Sequence, residues 1–268
     1  MKDEFWHVRS DFLTSDPHQI VKDTFNDDKK NYARAELELS KDVSLLDDAL
    51  ALFITSLQGG YRKSKNWKDN DSVKAAVAMA NSALNYLLLA RHSILLGYFA
   101  EARNLLRGCH ERITRCYLFY ADVDEARKFL TGKKLCNGSE QSYVDHKIAN
   151  ILKDKESLSA LREMYDSQSS HVHPNLESLR VRTDGPETEE LCDRVVKYPI
   201  FGGMLNPDLG KAYLFAVFQS ALFALSVIKV IFVETSGHWD NEFRRIWKIH
   251  QSIIEEHKTA QPQATEET

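Results

Sequence analysis

Proline and glycine are scarce in these 268 residues, at six and eleven positions. So few turn formers disfavour a fold of many short strands joined by tight turns. Cysteine is scarcer still, with Cys109, Cys116, Cys136 and Cys192 as the full set. None belongs to a C-x-x-C pair, and no zinc ligand set is spelled out. Cys109 and Cys116 fall in line with the apolar residues of one helix face, which reads as buried thiols in a reducing, cytoplasmic setting. Positive charge is not in excess either. The formal net charge is −4, so no global field marks a nucleic-acid binder, although a local basic groove stays open.

Signature motifs are missing too. There is no Gly-rich phosphate loop, no G-x-G-x-x-G and no G-x-S-x-G, which argues against an ATPase, a Rossmann enzyme or an α/β-hydrolase. His110-Glu111 lacks the second histidine of H-E-x-x-H, so a zincin is not expected, and neither metal nor cofactor is expected. Aromatic and basic residues are not interleaved in a way that suggests stacking on single-stranded nucleic acid. The first residues, MKDEFWHVRSDF, lack an apolar h-region, so no secretory leader is expected.

What remains is helical periodicity. Asp16-Pro17 suits the start of a helix running into 32–39, and a second amphipathic stretch covers about 42–57 and stops at Gly59-Gly60. Asn70 or Asp71 caps a long helix reaching Leu96, with Gly97 as its stop, and another follows over about 100–120. These two should form an antiparallel hairpin. Shorter helices are expected at about 124–130, 141–152 and 156–169. The stretch 176–203 reads as a loop that could hold a small β-hairpin. Asn206-Pro207 then opens an apolar helix that Gly237 closes, and a last amphipathic helix covers about 240–257. The expected architecture is an all-α, multi-helix bundle, one domain over 1–258, with a disordered tail at 259–268. The run YLFAVFQSALFALSVIKVIFV at 213–233 is long enough to span a bilayer, but Gln219, Ser220, Ser226 and Lys229 interrupt it. A central helix buried on all sides is expected instead. Trp239, Phe243 and Trp247 share one face of the last helix, as core or as a dimer surface.

The hairpin carries the candidate chemistry. Ala102, Leu105, Leu106, Cys109, Ile113, Cys116 and Tyr120 make an apolar face, flanked by a narrow polar stripe of Arg103, Arg107, His110 and Thr114. Glu111 stands four residues after Arg107, the spacing of a helix ion pair. On the preceding helix Arg91 falls on the core stripe of Val73, Val77, Ala80, Leu84, Leu87 and Leu88. A guanidinium in that register needs a carboxylate, a carbonyl or a bound anion. Arg91 and Arg103 each lie six residues from Gly97, so Arg91, Arg103 and Arg107 could line one cationic recess with His110 at its edge. The alternative is structural: Arg91 pairs with Glu101, Glu111 or another buried acid and holds the helices together. A second feature is the His171-Val172-His173-Pro174 segment, two histidines held by a proline stop.

Arg103-Asn104 followed by His110 resembles the motif of HEPN-type helical ribonucleases, with six intervening residues and with Gly108 as a departure inside the motif helix. The resemblance implies a dimer that places Arg and His of both copies around RNA and cleaves it without metal, as in toxins and bacterial phage-defence effectors. Arg103 and His110 would be the catalytic pair and Asn104 the polar neighbour. A vaguer likeness is to uncharacterised bacterial helical proteins with an Arg/Glu helix and a His-Pro loop. It implies that Arg107, Glu111, His171 and His173 approach one another as a ligand-binding cluster.

Three readings follow. The first is a soluble helical regulatory or interaction module that binds a protein partner or itself. The second is the HEPN-like ribonuclease. The third is a sensor whose Arg91, Arg103 and Arg107 receive a phosphate-bearing ligand. A membrane partner is not expected.

Overall fold

The computed structural model describes residues 17–63, 70–136, 140–152, 206–231 and 237–260. These form eight helices and, among the described residues, no strand: α1 (Pro17–Glu38), α2 (Ser40–Lys63), α3 (Asp71–Leu96), α4 (Phe99–Ala121), α5 (Val123–Leu130), α6 (Glu140–Leu152), α7 (Pro207–Ile231) and α8 (Gly237–Ala260). The all-α bundle is as expected. The segments 156–169 and 176–203, and the tail from 261, lie outside the described residues.

The helix ends follow local chemistry. The Asn70 side chain accepts the Val73 N–H at 3.2 Å and starts α3. Gly97 stops it at φ 87°, a left-handed conformation that glycine adopts without penalty. The N–H of Gly97 then donates to Ile94 O, and that of Tyr98 to Ser93 O, the paired bonds of a Schellman ending. Asn31 of α1 reaches across to donate to Leu96 O at 3.4 Å. The chain therefore reverses in two residues, and α4 runs back along α3 as an antiparallel hairpin. Asp122 caps α5 by accepting from the N–H groups of Asp124 and Glu125. Asn206 does the same for α7 with Asp208 and Leu209.

Two expected boundaries are corrected. Helix α2 runs through Gly59-Gly60 to Lys63. Glycine weakens a helix interior by about 1 kcal/mol relative to alanine, a preference that the packed turns of Phe53 and Leu57 just before it outweigh. Gly237 belongs to α8, where a stop to α7 was expected, and α7 is described as far as Ile231.

One apolar core joins α1, α2, α3, α4, α7 and α8, with Phe53, Leu87, Ile94, Ile113, Phe218 and Leu222 fully buried in it. A smaller cluster at the far end packs Ala75 and Phe119 against Ala126, Val144 and Ile148 of α5 and α6. The expected apolar face of α4 is the one found: Ala102, Leu106, Cys109, Ile113 and Cys116 are buried, and Leu105 and Tyr120 pack partly buried against them. Burial pushes the Cys109 thiol up to about 12 and the Cys116 thiol up as well, so both stay protonated. On α3 the expectation fails for Leu88, which is 37% exposed beside Leu89 at 53%. Helices α3 and α7 are long and apolar enough to cross a membrane. Helix α7 packs here on α2, α3 and α4, yet it is not covered on all sides: Ala212, Gln219 and Val230 form an outward stripe.

A close fit in the hairpin lies at Gly108. A Cβ there would stand 2.3 Å from Cε1 of Tyr86, so only glycine lets the ring of α3 lie against the α4 backbone. Arg112 locks the arrangement. Its guanidinium sits 3.8 Å over the Tyr86 ring and donates to the Tyr86 hydroxyl at 2.8 Å, to Ser82 Oγ at 2.7 Å and to Gly108 O at 2.8 Å. Gly108→Ala is expected to lower stability by about 1–3 kcal/mol in urea unfolding, through overpacking. In a Tyr86→Ala background the same change should instead raise stability by up to about 1 kcal/mol, the intrinsic helix gain of alanine. A destabilisation of equal size in both backgrounds would show that the ring is not the cause.

Candidate functional site

The polar residues of the hairpin are present as a group, but they face different neighbours. Arg91 turns toward α1 and α2. Its Nε and Nη2 donate to Asp47 at 2.6 and 2.8 Å, a bidentate pair, and Nη1 donates to the Tyr32 hydroxyl at 3.3 Å. The hydrogen bond to Asp47 holds the guanidinium above its ordinary value, against an opposing effect of burial. The guanidinium in core register thus finds its acid, though neither Glu101 nor Glu111. Asp47 is also half-exposed rather than buried, with 47% of its side chain accessible.

Arg103 and His110 occupy the same face of α4, about 10 Å apart along the axis at 1.5 Å per residue. Helix α7 covers that face. The Arg103 guanidinium lies 6.0 Å from the ring centre of Tyr213. The His110 ring is stacked on Phe223, with centroids 6.0 Å apart and planes 18° apart, and the residue is only 2% exposed. Burial pushes the His110 imidazole down to about 4, so it is neutral at physiological pH.

Arg107 and Glu111 form the expected ion pair, at 3.3 Å. Glu111 also approaches Arg115 at 3.7 Å, and Arg115 reaches Glu140 of α6 at 3.3 Å. The last member of the stripe, Thr114, is buried and donates to His110 O at 3.0 Å. In turn it accepts from Gln141 Nε2 of α6 at 3.1 Å, and that amide also donates to Asp145 at 2.7 Å. Next to this seam, buried Glu125 accepts from Lys128 at 2.8 Å and from the Tyr143 hydroxyl at 2.7 Å, with Lys147 at 3.5 Å. Burial pushes its carboxyl up, but the Lys128 and Tyr143 hydrogen bonds more than offset this and leave it below the ordinary value.

The stripe is therefore divided along its length. Arg103 and His110 belong to the α4–α7 packing, and the last member, Thr114, belongs with neighbouring Arg115 to the α4–α6 seam. Glu111, with its two arginines, stands between them. His171 and His173 lie outside the described residues. Among the described residues no cluster of three His, Cys, Asp or Glu side chains could hold a metal ion. The reading from sequence passed over Asp47, Tyr86, Arg112 and Gln141. A cue existed for Arg112 alone, four residues after a glycine on a long helix.

These features define an all-α bundle organised on an antiparallel hairpin with a polar stripe. No protein-family model matches the chain, and neither a curated protein nor a solved structure matches it.

The buried imidazole has a measurable consequence. Unfolding returns His110 from about 4 to near 6.5, so between those values the unfolded chain holds a proton that the folded chain does not. This stabilisation is complete above pH 6.5 and is lost as pH falls toward 4, by about 3 kcal/mol in all. Urea titrations at about pH 7 and about pH 4.5 should show a steeper loss in the wild type than in His110→Phe, by roughly 2–3 kcal/mol. Equal losses in the two proteins would mean that the imidazole is not held neutral by burial.

Proposed function

We propose that this chain is a helical interaction module that engages a protein partner or a second copy of itself and uses no catalytic residue of its own. The observation that carries this reading is the use of the hairpin's polar side chains in holding helix to helix. Arg91 clamps α3 to α2, Arg112 clamps α4 to α3, and Arg115 and Thr114 tie α4 to α6. Helix α7 lies over His110, the residue that a ribonuclease of the HEPN type would need open to RNA. Arginines engaged in this way are structural groups first. A sensor using Arg91 and Arg107 would have to displace Asp47 and Glu111 before a phosphate could take their place.

Two assays separate the three readings. The full chain is incubated with a labelled, unstructured RNA in EDTA, beside Arg103→Ala and His110→Ala, with far-UV circular dichroism as the folding control. The module reading expects no cleavage above the background of a mock preparation. Metal-independent cleavage that disappears in both folded variants would overturn it in favour of the ribonuclease. A parallel thermal-shift series with nucleotides tests the sensor. A stabilisation lost in Arg107→Ala would overturn the module reading in favour of phosphate sensing at the hairpin.

A further inference from the structure

Helices α7 and α8 leave a cleft of about 300 Å³ between them, lined by Ser226 and Lys229 from α7 and by Phe243, Arg244, Trp247 and Lys248 from α8. It lies apart from the hairpin stripe, and nothing in the module reading depends on it. Its wall is a ladder of rings. Trp239 stacks on Phe243 at 5.2 Å and 11°, and Phe243 stacks on Trp247 at 6.0 Å and 29°. The ladder is anchored from behind: the Trp239 indole N–H donates to Ser56 of α2 at 2.6 Å, inside the core. The Trp247 ring is braced by buried His250, with centroids 5.6 Å apart. The outermost ring is thus held in place while 41% of Trp247 stays exposed. A large apolar ring kept at the surface by a built support is a stacking platform rather than a residue left over from the core.

The charged side chains that line the cleft, Lys229, Arg244 and Lys248, are all cations. Lys229 stands 5.6 Å from the Phe243 ring and is paired with Asp240 at 2.9 Å. Arg244 and Lys248 are exposed, lie four apart on the same helix, and among the described residues no acid pairs with either. Neighbouring Arg245 shows the contrast, since Asp48 and Glu242 take it at 2.7 and 2.9 Å. Like charges four apart repel and weaken a helix, a cost removed when an anion sits between them. The Ser226 hydroxyl donates to Leu222 O, leaving its oxygen as an acceptor on the cleft floor. The lining therefore asks for one planar apolar ring, a hydrogen-bond donor and an attached anion, in a volume at the lower end of small-ligand sites.

We propose that this cleft binds a nucleotide unit, its base stacked on Trp247 and its phosphate held by Arg244 and Lys248. The unit comes either as a free mononucleotide or as one residue of a single strand, and the two share the same contacts. Stacking on one aromatic ring and a phosphate between two cations make the fit sensitive to both halves of the ligand. A bare phosphate lacks the ring, and a nucleoside lacks the charge.

Calorimetric titration of the full chain with AMP, adenosine, inorganic phosphate and an eight-residue oligoadenylate tests the proposal, with phosphatidylserine vesicles as a further arm. AMP or the oligonucleotide should bind at least about tenfold more tightly than adenosine or phosphate. Equal affinity for AMP and for the oligonucleotide, per binding unit, marks a free nucleotide as the ligand, and tighter binding of the oligonucleotide marks a strand. Both outcomes support the site. Trp247→Leu and the double change Arg244→Glu with Lys248→Glu should each weaken binding about tenfold or more, with the melting curve showing that the variants fold. The site is overturned if neither AMP nor the oligonucleotide outbinds phosphate, or if the folded variants bind as the wild type does. It is likewise overturned if vesicles capture the chain while both nucleotide ligands fail. Arg107→Ala should leave the binding unchanged, which keeps this result distinct from phosphate sensing at the hairpin.

Discussion

The ring of Tyr86 occupies the space that any side chain at position 108 would need, and the pairing of α3 with α4 is built on that exchange. Glycine gives up helix propensity at 108, and the gain is a close backbone approach filled by an aromatic ring. Arg112 then satisfies its donors on both helices at once, through the Tyr86 and Ser82 hydroxyls and the Gly108 carbonyl. With the hairpin spaced in this way, α7 can lie across it on one side and α5 and α6 can close the far end.

Around that centre the fold manages partly buried charge by pairing across helices. Arg91 with Asp47, Arg115 with Glu140, and Glu125 with Lys147 each join segments that the apolar core alone could let slide. Such pairs add little net stability, because desolvation offsets most of the attraction, but they penalise any register that would leave one partner unpaired. His110 is the exception in kind. It is neutral and stacked on Phe223, and it behaves as a flat, slightly polar core residue. Its burial and the paired arginines support a structural role for the stripe, whereas the α7–α8 cleft sets the exposed Trp247 ring beside Arg244 and Lys248.

The hairpin was legible in the sequence because every signal for it is local. Asn70 caps, Gly97 turns left-handed, and apolar residues recur at the spacing of one helix face between 72 and 120. The same holds for Asn206 before α7. The errors came where a local preference competed with packing. Gly59-Gly60 did not end α2, and Leu88, in phase with the core stripe of α3, faces outward. Periodicity reports the angle of a side chain around its own helix, but not whether another helix arrives at that angle.

From the sequence alone came most of the described helices, the caps at Asn70, Gly97 and Asn206, the apolar face of α4 and the Arg107–Glu111 pair, since each depends on residues within about one or two turns of each other. Only the tertiary structure decided that Arg91 meets Asp47, 44 positions away, that α7 covers His110, and that Lys229 stands across a cleft from Arg244 and Lys248. The physical reason is that these groups are brought together by how helices cross, and a crossing is set by the summed fit of many side chains that no single segment of the chain contains.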